Sequence, residues 1–258
     1  MTFSFTKYHG TGNDFIMVDC TSATKLELDN EQISALCDRR FGIGADGIIL
    51  ISKHPTLDFT MTYYNSDGSQ SFCGNGARCA VHFANSLGMF KTITNFEAID
   101  GVHKASINEN IIALKMNKVE GFKKDETAFI IDTGSPHYIK FAANLDDENI
   151  VEYGKAIRYS DKYKTEGINV NLVEVLADNH LDMLTYERGV EDETYSCGTG
   201  ATAAALAYAL VLDYDEIDVL INVKGGELAV KAERFGDTFD SIYLIGPAEK
   251  VFDGKISI

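Results

Sequence analysis

The sequence predicts an α+β protein of two pseudo-symmetric halves, each a mixed or antiparallel β-sheet wrapped around one central helix. Three observations carry this expectation. FCGNGARCA at residues 72–80 and SCGTGATAA at 196–204 can be laid over one another, 124 residues apart, as cysteine, glycine, small polar residue, glycine, alanine and a helix-like run. Strand-like stretches surround both copies. Between them lies a polar stretch with one glycine, NKVEGFKKDET at 117–127, the best linker candidate. The halves are therefore expected at 1–117 and 118–247, with segment 248–258 free to return to the first.

FSFTKYH (3–9) and DFTMTYY (58–64) are rich in aromatic and β-branched residues and read as strands. NEQISALCDRR (30–40) reads as a helix that stops before Gly42. After Cys73, the apolar positions Ala77, Ala80, Val81, Ala84 and Leu87 recur at helical spacing and Gly88 suits the C-terminal cap, which predicts a buried helix beginning at the cysteine. TITNFEAI, VHKASI and IIALKM, divided by Asp100-Gly101 and Asn108-Glu109-Asn110, read as a β-meander. The second half repeats the order with FIIDTG, HYIKF, GINVNLVEV (167–175) and LDMLTYE (181–187), then a helix over 198–212 and strands at IDVLINV (217–223), ELAVKAE and SIYLIG. A Rossmann arrangement is disfavoured, since neither glycine motif reads G-x-G-x-x-G with an acid on the following strand.

Composition is that of an ordinary globular chain: 45% apolar, 24% charged, 3 prolines and no low-complexity tract. A net charge of -16 without a basic cluster argues against nucleic acid, whose phosphates are bound by grouped Lys and Arg; Arg39-Arg40 and Lys123-Lys124 are the nearest approach. The longest apolar stretch, 201–212, has about half the residues needed to cross a bilayer, and MTFSFTKYHG lacks the apolar run of a signal peptide, so a soluble cytoplasmic protein with no membrane partner is expected.

Five cysteines, Cys20, Cys37, Cys73, Cys79 and Cys197, are an odd count without CxxC pairs or zinc-finger histidines, so neither a disulfide framework nor a metal site is expected. Cys20, Cys37 and Cys79 read as small buried hydrophobes. Cys73 and Cys197 differ because each opens a helix. A thiol there sits beside unpaired backbone N–H groups and the positive end of the helix dipole, which favour thiolate. The glycines that follow let backbone amides approach a carboxylate or phosphate. Two such thiols acting on opposite faces of one carbon invert its configuration with no cofactor, one removing a proton and the other delivering one. The pair then titrates as a coupled unit.

The residues KYHGTGNDFIMVD, RRFGIGADG, YNSDGSQSFCGNGARC, TGSPHYI, GINVNLVEV and TYERGVEDETYSCGTGATAAA, in this order and nearly end to end, resemble the diaminopimelate epimerases. The resemblance implies the diaminopimelate epimerase-like fold and cofactor-independent interconversion of LL- and meso-diaminopimelate, by a homodimer, in lysine biosynthesis. It implies Cys73 and Cys197 as the catalytic base and acid, with Gly74-Asn75 and Gly198-Thr199 holding the reacting carboxylate. Asn13, Asn65, Asn169, Glu187 and Arg188 match positions that bind the substrate, especially its distal end, and His137 matches an active-site histidine. That distal end offers a carboxylate for Arg188 and an ammonium for Glu187. On residue type alone, Asn13 and Asn65 read as turn residues, Glu187-Arg188 as an exposed pair and His137 as a core histidine. Two positions depart from some members: Ser135 stands where they carry Asn, and Gly47 where they carry Gln. Contacts made by those longer side chains are missing here or supplied by water.

Other readings of the same residues are a proline- or hydroxyproline-type racemase, a phenazine-biosynthesis-like isomerase, a dithiol redox protein and a non-catalytic binding module. The paired cysteines count against the phenazine type, which lacks them. CGNG, rather than a CGHG-like motif, together with Glu187-Arg188, counts against the proline type.

Overall fold

The computed structural model describes residues 2–22 and 26–258. It divides into two units, Met1–Leu114 with Gly246–Ile258, and Lys115–Ile245.

Two continuous apolar runs, Phe15-Ile16-Met17-Val18 and Ile48-Ile49-Leu50-Ile51, set the centre of the first unit. Runs without alternation suit strands covered on both faces. They lie on β2 (Asn13–Asp19) and β3 (Gly47–Ser52), which pair in parallel. β1 (Thr2–Gly10) precedes β2 through a two-residue turn in which Thr11 and Gly12 have φ of 49° and 84°. Positive φ at both positions matches the twist that a tight hairpin requires. β4 (Phe59–Asn65) pairs antiparallel with β3, β5 (Ile93–Ala98) pairs in parallel with β4, and β6 (Gly101–Asn108) and β7 (Ile111–Lys115) complete the expected meander. A C-terminal strand, Glu249–Ser257, pairs antiparallel with β1.

Helices cover both faces of the central strands. α1 (Asn30–Cys37) is started by a capping box between Asp29 and Gln32 and packs Ile33, Leu36 and Cys37 on Phe5, Ile16, Val18, Ile48 and Leu50. α2 (Gly74–Ser86) lies on the other face and is buried from Gly74 to Val81. A methyl group on Gly76 would lie 3.0 Å from Ile49 Cδ1 and 3.4 Å from the Phe15 ring, so the glycine lets the helix start settle onto those side chains.

The second unit repeats this pairing order. β10 (Ala128–Asp132) and β11 (Pro136–Phe141) are antiparallel, and β11 and β12 (Asn169–Ala177) are parallel. β12 and β13 (His180–Glu187) are antiparallel, and β13 and β15 (Glu216–Val223) are parallel. β16 (Gly226–Phe235) and β17 (Thr238–Pro247) follow as antiparallel neighbours, and a short β14 (Asp192–Glu193) pairs with β13. α3 (Ile150–Arg158), capped by Asn149, packs with Tyr138, Ile168, Val170, Leu172 and Tyr186 in the manner of α1. α4 (Gly198–Leu212) takes the place of α2. Eleven of the twelve residues from Gly198 to Ala209 are Gly, Ala, Thr or Leu, with no charged side chain on any face, as a helix enclosed by sheet requires.

Sequence reading anticipates the two cysteine-led helices and most of the strands. It does not anticipate β2, β3 or α3, and for 248–258 it expects a segment free to return to the first half without naming a strand there. The stretch 117–127 is not a free connector: β8 (Val119–Glu120) pairs with β17, and β9 (Lys123–Asp125) pairs with β10.

Candidate active site

In each unit the residues singled out above gather where strand ends meet the start of the central helix. Cys73 is the N-cap of α2, in extended backbone conformation, and its Sγ accepts from the Gly76 amide at 3.5 Å. Asn13 begins β2 beside it. The Asn13 Nδ2 donates to Asp46 Oδ2 at 2.6 Å, while its Oδ1 accepts from Cys73 Sγ at 3.5 Å and from Asn75 Nδ2 at 3.2 Å. A carboxylate only accepts, so Asp46 decides which end of the Asn13 amide faces sulfur.

Asp46 is itself held by Arg39 at 2.7 Å, and Arg39 forks onto Asp14 at 3.0 and 2.7 Å. Lys7, almost fully buried, reaches Asp14 at 2.7 Å and donates to the Gly44 carbonyl. Burial would raise the Asp14 carboxyl, but the hydrogen bonds from Arg39 and Lys7 outweigh it and hold it at about 2. Asn65 ends β4 and turns inward on its own loop: its Nδ2 donates to the Ser69 carbonyl, Ser69 Oγ and Ser71 Oγ. The structure therefore brings Cys73, Asn75 and Asn13 together, and ties Asn65 to the loop that leads to Cys73.

Gly47 pairs with both Phe15 and Asn65 in the sheet. A Cβ there would fall 2.4 Å from the Tyr64 carbonyl oxygen and 2.5 Å from the Tyr63 ring, so this chain has no room for the longer residue that some resembling sequences carry.

Under the same helix start lies Arg78, which is fully buried. Its Nη2 donates to Thr11 Oγ1 at 3.2 Å and its Nε to the Pro247 carbonyl at 3.5 Å, while Nη1 is buried with no hydrogen-bond partner. Burial lowers its pKa to about 10, opposed by the Cys79 and Cys73 thiols. Cys79 is fully buried, and desolvation pushes its thiol far above the usual range, so it stays protonated.

In the second unit Cys197 is the N-cap of α4, and its Sγ lies 3.5 Å from Thr199 Oγ1. Thr199 Oγ1 is 2.9 Å from His137 Nε2, and His137 Nδ1 is 2.9 Å from Asn171 Oδ1. His137 is fully buried, and desolvation lowers its pKa to about 4, against the opposing effect of the Asn171 hydrogen bond. Thr133 Oγ1 donates to the Thr199 carbonyl at 2.8 Å and steadies the same turn.

Asn169 faces His137 across the parallel pair β11 and β12. Its Nδ2 donates to Ser135 Oγ at 2.8 Å and to the Pro136 carbonyl at 3.1 Å, and its Oδ1 accepts from the Arg188 amide at 2.9 Å. The Arg188 guanidinium donates to the Glu166 carbonyl at 2.9 Å and to Ser135 Oγ at 3.4 Å. Ser135 thus receives both Asn169 and Arg188. Gly167, with φ 76°, permits the approach, since a Cβ there would lie 2.5 Å from Arg188 Cδ. Glu187 ends β13 opposite Asp192.

The family model for diaminopimelate epimerase matches residues 5–120 and 129–251, nearly the whole chain. The chain belongs to the diaminopimelate epimerase family. A diaminopimelate epimerase from Flavobacterium psychrophilum is 49% identical over 97% of this chain and 98% of that relative. Among solved structures, a phenazine biosynthesis protein of the PhzF family from Bacillus anthracis has a TM-score of 0.77 at 15% identity, covering 100% of both chains. A hydroxyproline epimerase from Agrobacterium vitis has a TM-score of 0.67 at 14% identity, covering 99% of this chain and 91% of the other. Likenesses at such identities speak for a shared fold.

Sequence reasoning passed over several groups that bond to these candidate residues or lie under the same helix start. Asp46 lies inside the quoted RRFGIGADG, but its partner Asn13 is 33 positions away and nothing local links them. Arg78 had a signal, being the one charged residue in a run of small and apolar residues on a buried helix. Asn171 had one too: it follows Asn169 by two positions on a strand and so shares its face.

Proposed function

We infer that this epimerase interconverts LL- and meso-diaminopimelate without a cofactor, with Cys73 and Cys197 as the two proton-transfer groups. The observation that carries the reading is that both units present a cysteine as the N-cap of their central buried helix. A helix start supports a thiolate and offers backbone amides to a carboxylate. One sulfur, as thiolate, takes the α-proton, and the other, as thiol, returns a proton to the opposite face of the same carbon. The Gly74-Asn75 and Gly198-Thr199 amides steady the α-carboxylate as negative charge builds up on it. The Arg188 guanidinium is bonded to two neutral oxygens, which suits a cation that receives the distal carboxylate, with Glu187 receiving the distal ammonium. Asn13, Asn65, Asn169 and His137 complete the substrate contacts.

Among the described residues no helix is long and apolar enough to cross a membrane. The family resemblance leads us to assign the enzyme to the cytoplasm as a homodimer in lysine biosynthesis, with no nucleic-acid or membrane partner.

Incubation with LL-diaminopimelate in heavy water tests the reading. Formation of the meso isomer carrying solvent deuterium is expected, and its loss in both Cys73→Ala and Cys197→Ala. Exchange with L-proline or trans-4-hydroxy-L-proline alone would keep the two-thiol chemistry and move the substrate. No exchange with any of the three, with both thiols kept reduced, would overturn the epimerase reading.

A further inference from the structure

Asn171 is fully buried on β12 and stands two residues beyond Asn169, the assigned substrate contact, on the same face of the strand. Its amide has two distinguishable ends, and its surroundings choose between them. Nδ2 lies 2.7 Å from Thr185 Oγ1 and 3.6 Å from the Met183 thioether sulfur. A thioether carries no proton and can only accept, so the amine end of the amide belongs there. The carbonyl end then faces His137 Nδ1 at 2.9 Å. An amide oxygen cannot donate, so Nδ1 must carry the imidazole proton.

We propose that Asn171 is a positioning residue for Cys197: it fixes His137 as the Nδ1–H tautomer, so that Nε2 draws the Thr199 hydroxyl proton and Thr199 Oγ1 is left to accept the Cys197 thiol proton. The chain runs through side chains only, Thr185 and Met183 to Asn171, then His137, Thr199 and Cys197, all within the second unit. Cys197, Thr199 and His137 each give their one proton toward Asn171, whose amine end donates on to Thr185 and Met183. A buried imidazole that resists a second proton keeps the direction from reversing, and the charged groups that bear on it, Asp132 on β10 and Arg188 after β13, are of opposite sign. Gly200 leaves the chain no slack, because a Cβ there would lie 2.7 Å from Asn171 Nδ2 and 3.3 Å from His137 Cε1.

The consequence is a bias at sulfur. A hydrogen bond made by the neutral form favours that form, so this arrangement holds Cys197 as the thiol and makes it the proton donor of the resting enzyme. That catalytic consequence rests on the two-thiol reading above. The tautomer and the thiol bias do not.

Two measurements on the full chain test it, and neither needs turnover. Long-range 1H–15N spectra of labelled protein, with His137→Gln to assign the signal, read which ring nitrogen is protonated. Nδ1–H at neutral pH is expected, and Nε2–H overturns the proposal even if no variant can be made. The second reads alkylation of Cys197 by iodoacetamide against pH, resolved by peptide mass spectrometry, in wild type and Asn171→Leu. Leucine removes the acceptor, the ring is free to become Nε2–H, and the Thr199 hydroxyl can turn and donate to sulfur. The Cys197 profile should then move to lower pH by about one unit, roughly a tenfold faster reaction near neutrality. An unchanged or upward-shifted profile in the folded variant overturns the proposal, since a purely structural asparagine gives no downward shift. Failure of the heavy-water exchange leaves both readouts intact, so the two ideas fail separately.

Discussion

Asp46 Oδ2 lies 2.6 Å from Asn13 Nδ2, and that contact decides which end of the Asn13 amide meets the Cys73 sulfur. The carboxylate is one of two that Arg39 gathers, so the orientation of a single amide beside Cys73 depends on a buried lysine, an arginine and two acids.

Replacing that carboxylate should therefore act on the reaction more than on the fold. Asp46→Ala frees the Asn13 amide to rotate and should lower kcat about 10- to 100-fold, the scale of a misplaced group near the reacting atoms. Asp46→Asn keeps an acceptor oxygen and should lose less. Steady-state kinetics with both variants checks this, and equal losses in the two would show that charge rather than amide orientation matters.

Arg78 separates stability from chemistry. A buried cation with no carboxylate partner among the described residues is costly, and an unbranched apolar side chain of similar length relieves that cost. Arg78→Met should match or exceed wild-type stability, whereas Arg78→Ala leaves a cavity and should lose about 2 to 5 kcal/mol. Both remove positive charge that acts on the Cys73 thiol, so the pH profile of Cys73 alkylation should move upward in both. Denaturant melts and site-resolved alkylation read the two effects independently.

Gly47 is closed to any side chain. Gly47→Ala drives a methyl group toward the Tyr64 carbonyl and the Tyr63 ring at the start of β3. A loss of about 1 to 3 kcal/mol is expected from such overpacking, seen as a lower Tm. A variant as stable as wild type would show that the strand shifts at little cost.

His137 gives stability a pH dependence of known sign. Its pKa falls from 6.5 in the unfolded chain to about 4 in the fold, because burial opposes the charged form. The unfolded chain thus takes up a proton that the folded chain refuses. Its contribution is present above pH 6.5 and is lost as the pH falls through 4, on the order of 3 kcal/mol. Urea midpoints measured between pH 7 and 4 should fall less steeply for His137→Gln than for wild type. Parallel slopes would refute this origin of the acid sensitivity.

The two cysteine-led helices were legible because their signals are local. An N-cap cysteine, flexible glycines and apolar residues at helical spacing all lie within one short stretch, and the phrase occurs twice. The meander was legible for the same reason, alternation broken by turn residues. β2 and β3 were harder to read because a strand buried on both faces loses its alternation, and only the helices packed on either side explain the unbroken runs of Phe15 to Val18 and Ile48 to Ile51.

The sequence by itself determined the architecture of repeated units, the helix starts that bear Cys73 and Cys197, and the residue types around them. These follow from periodicity and backbone preference, which act over a few residues. Only the tertiary structure decided which hydrogen bonds those residues make. Asp46 meets Asn13, Arg78 lies under the β1–β2 turn, Ser135 receives Asn169 and Arg188, and Asn171 meets His137, each across tens of positions in sequence. Strand register sets those meetings, and register is fixed by burying whole faces of the sheet, a property of many residues at once that no short stretch contains.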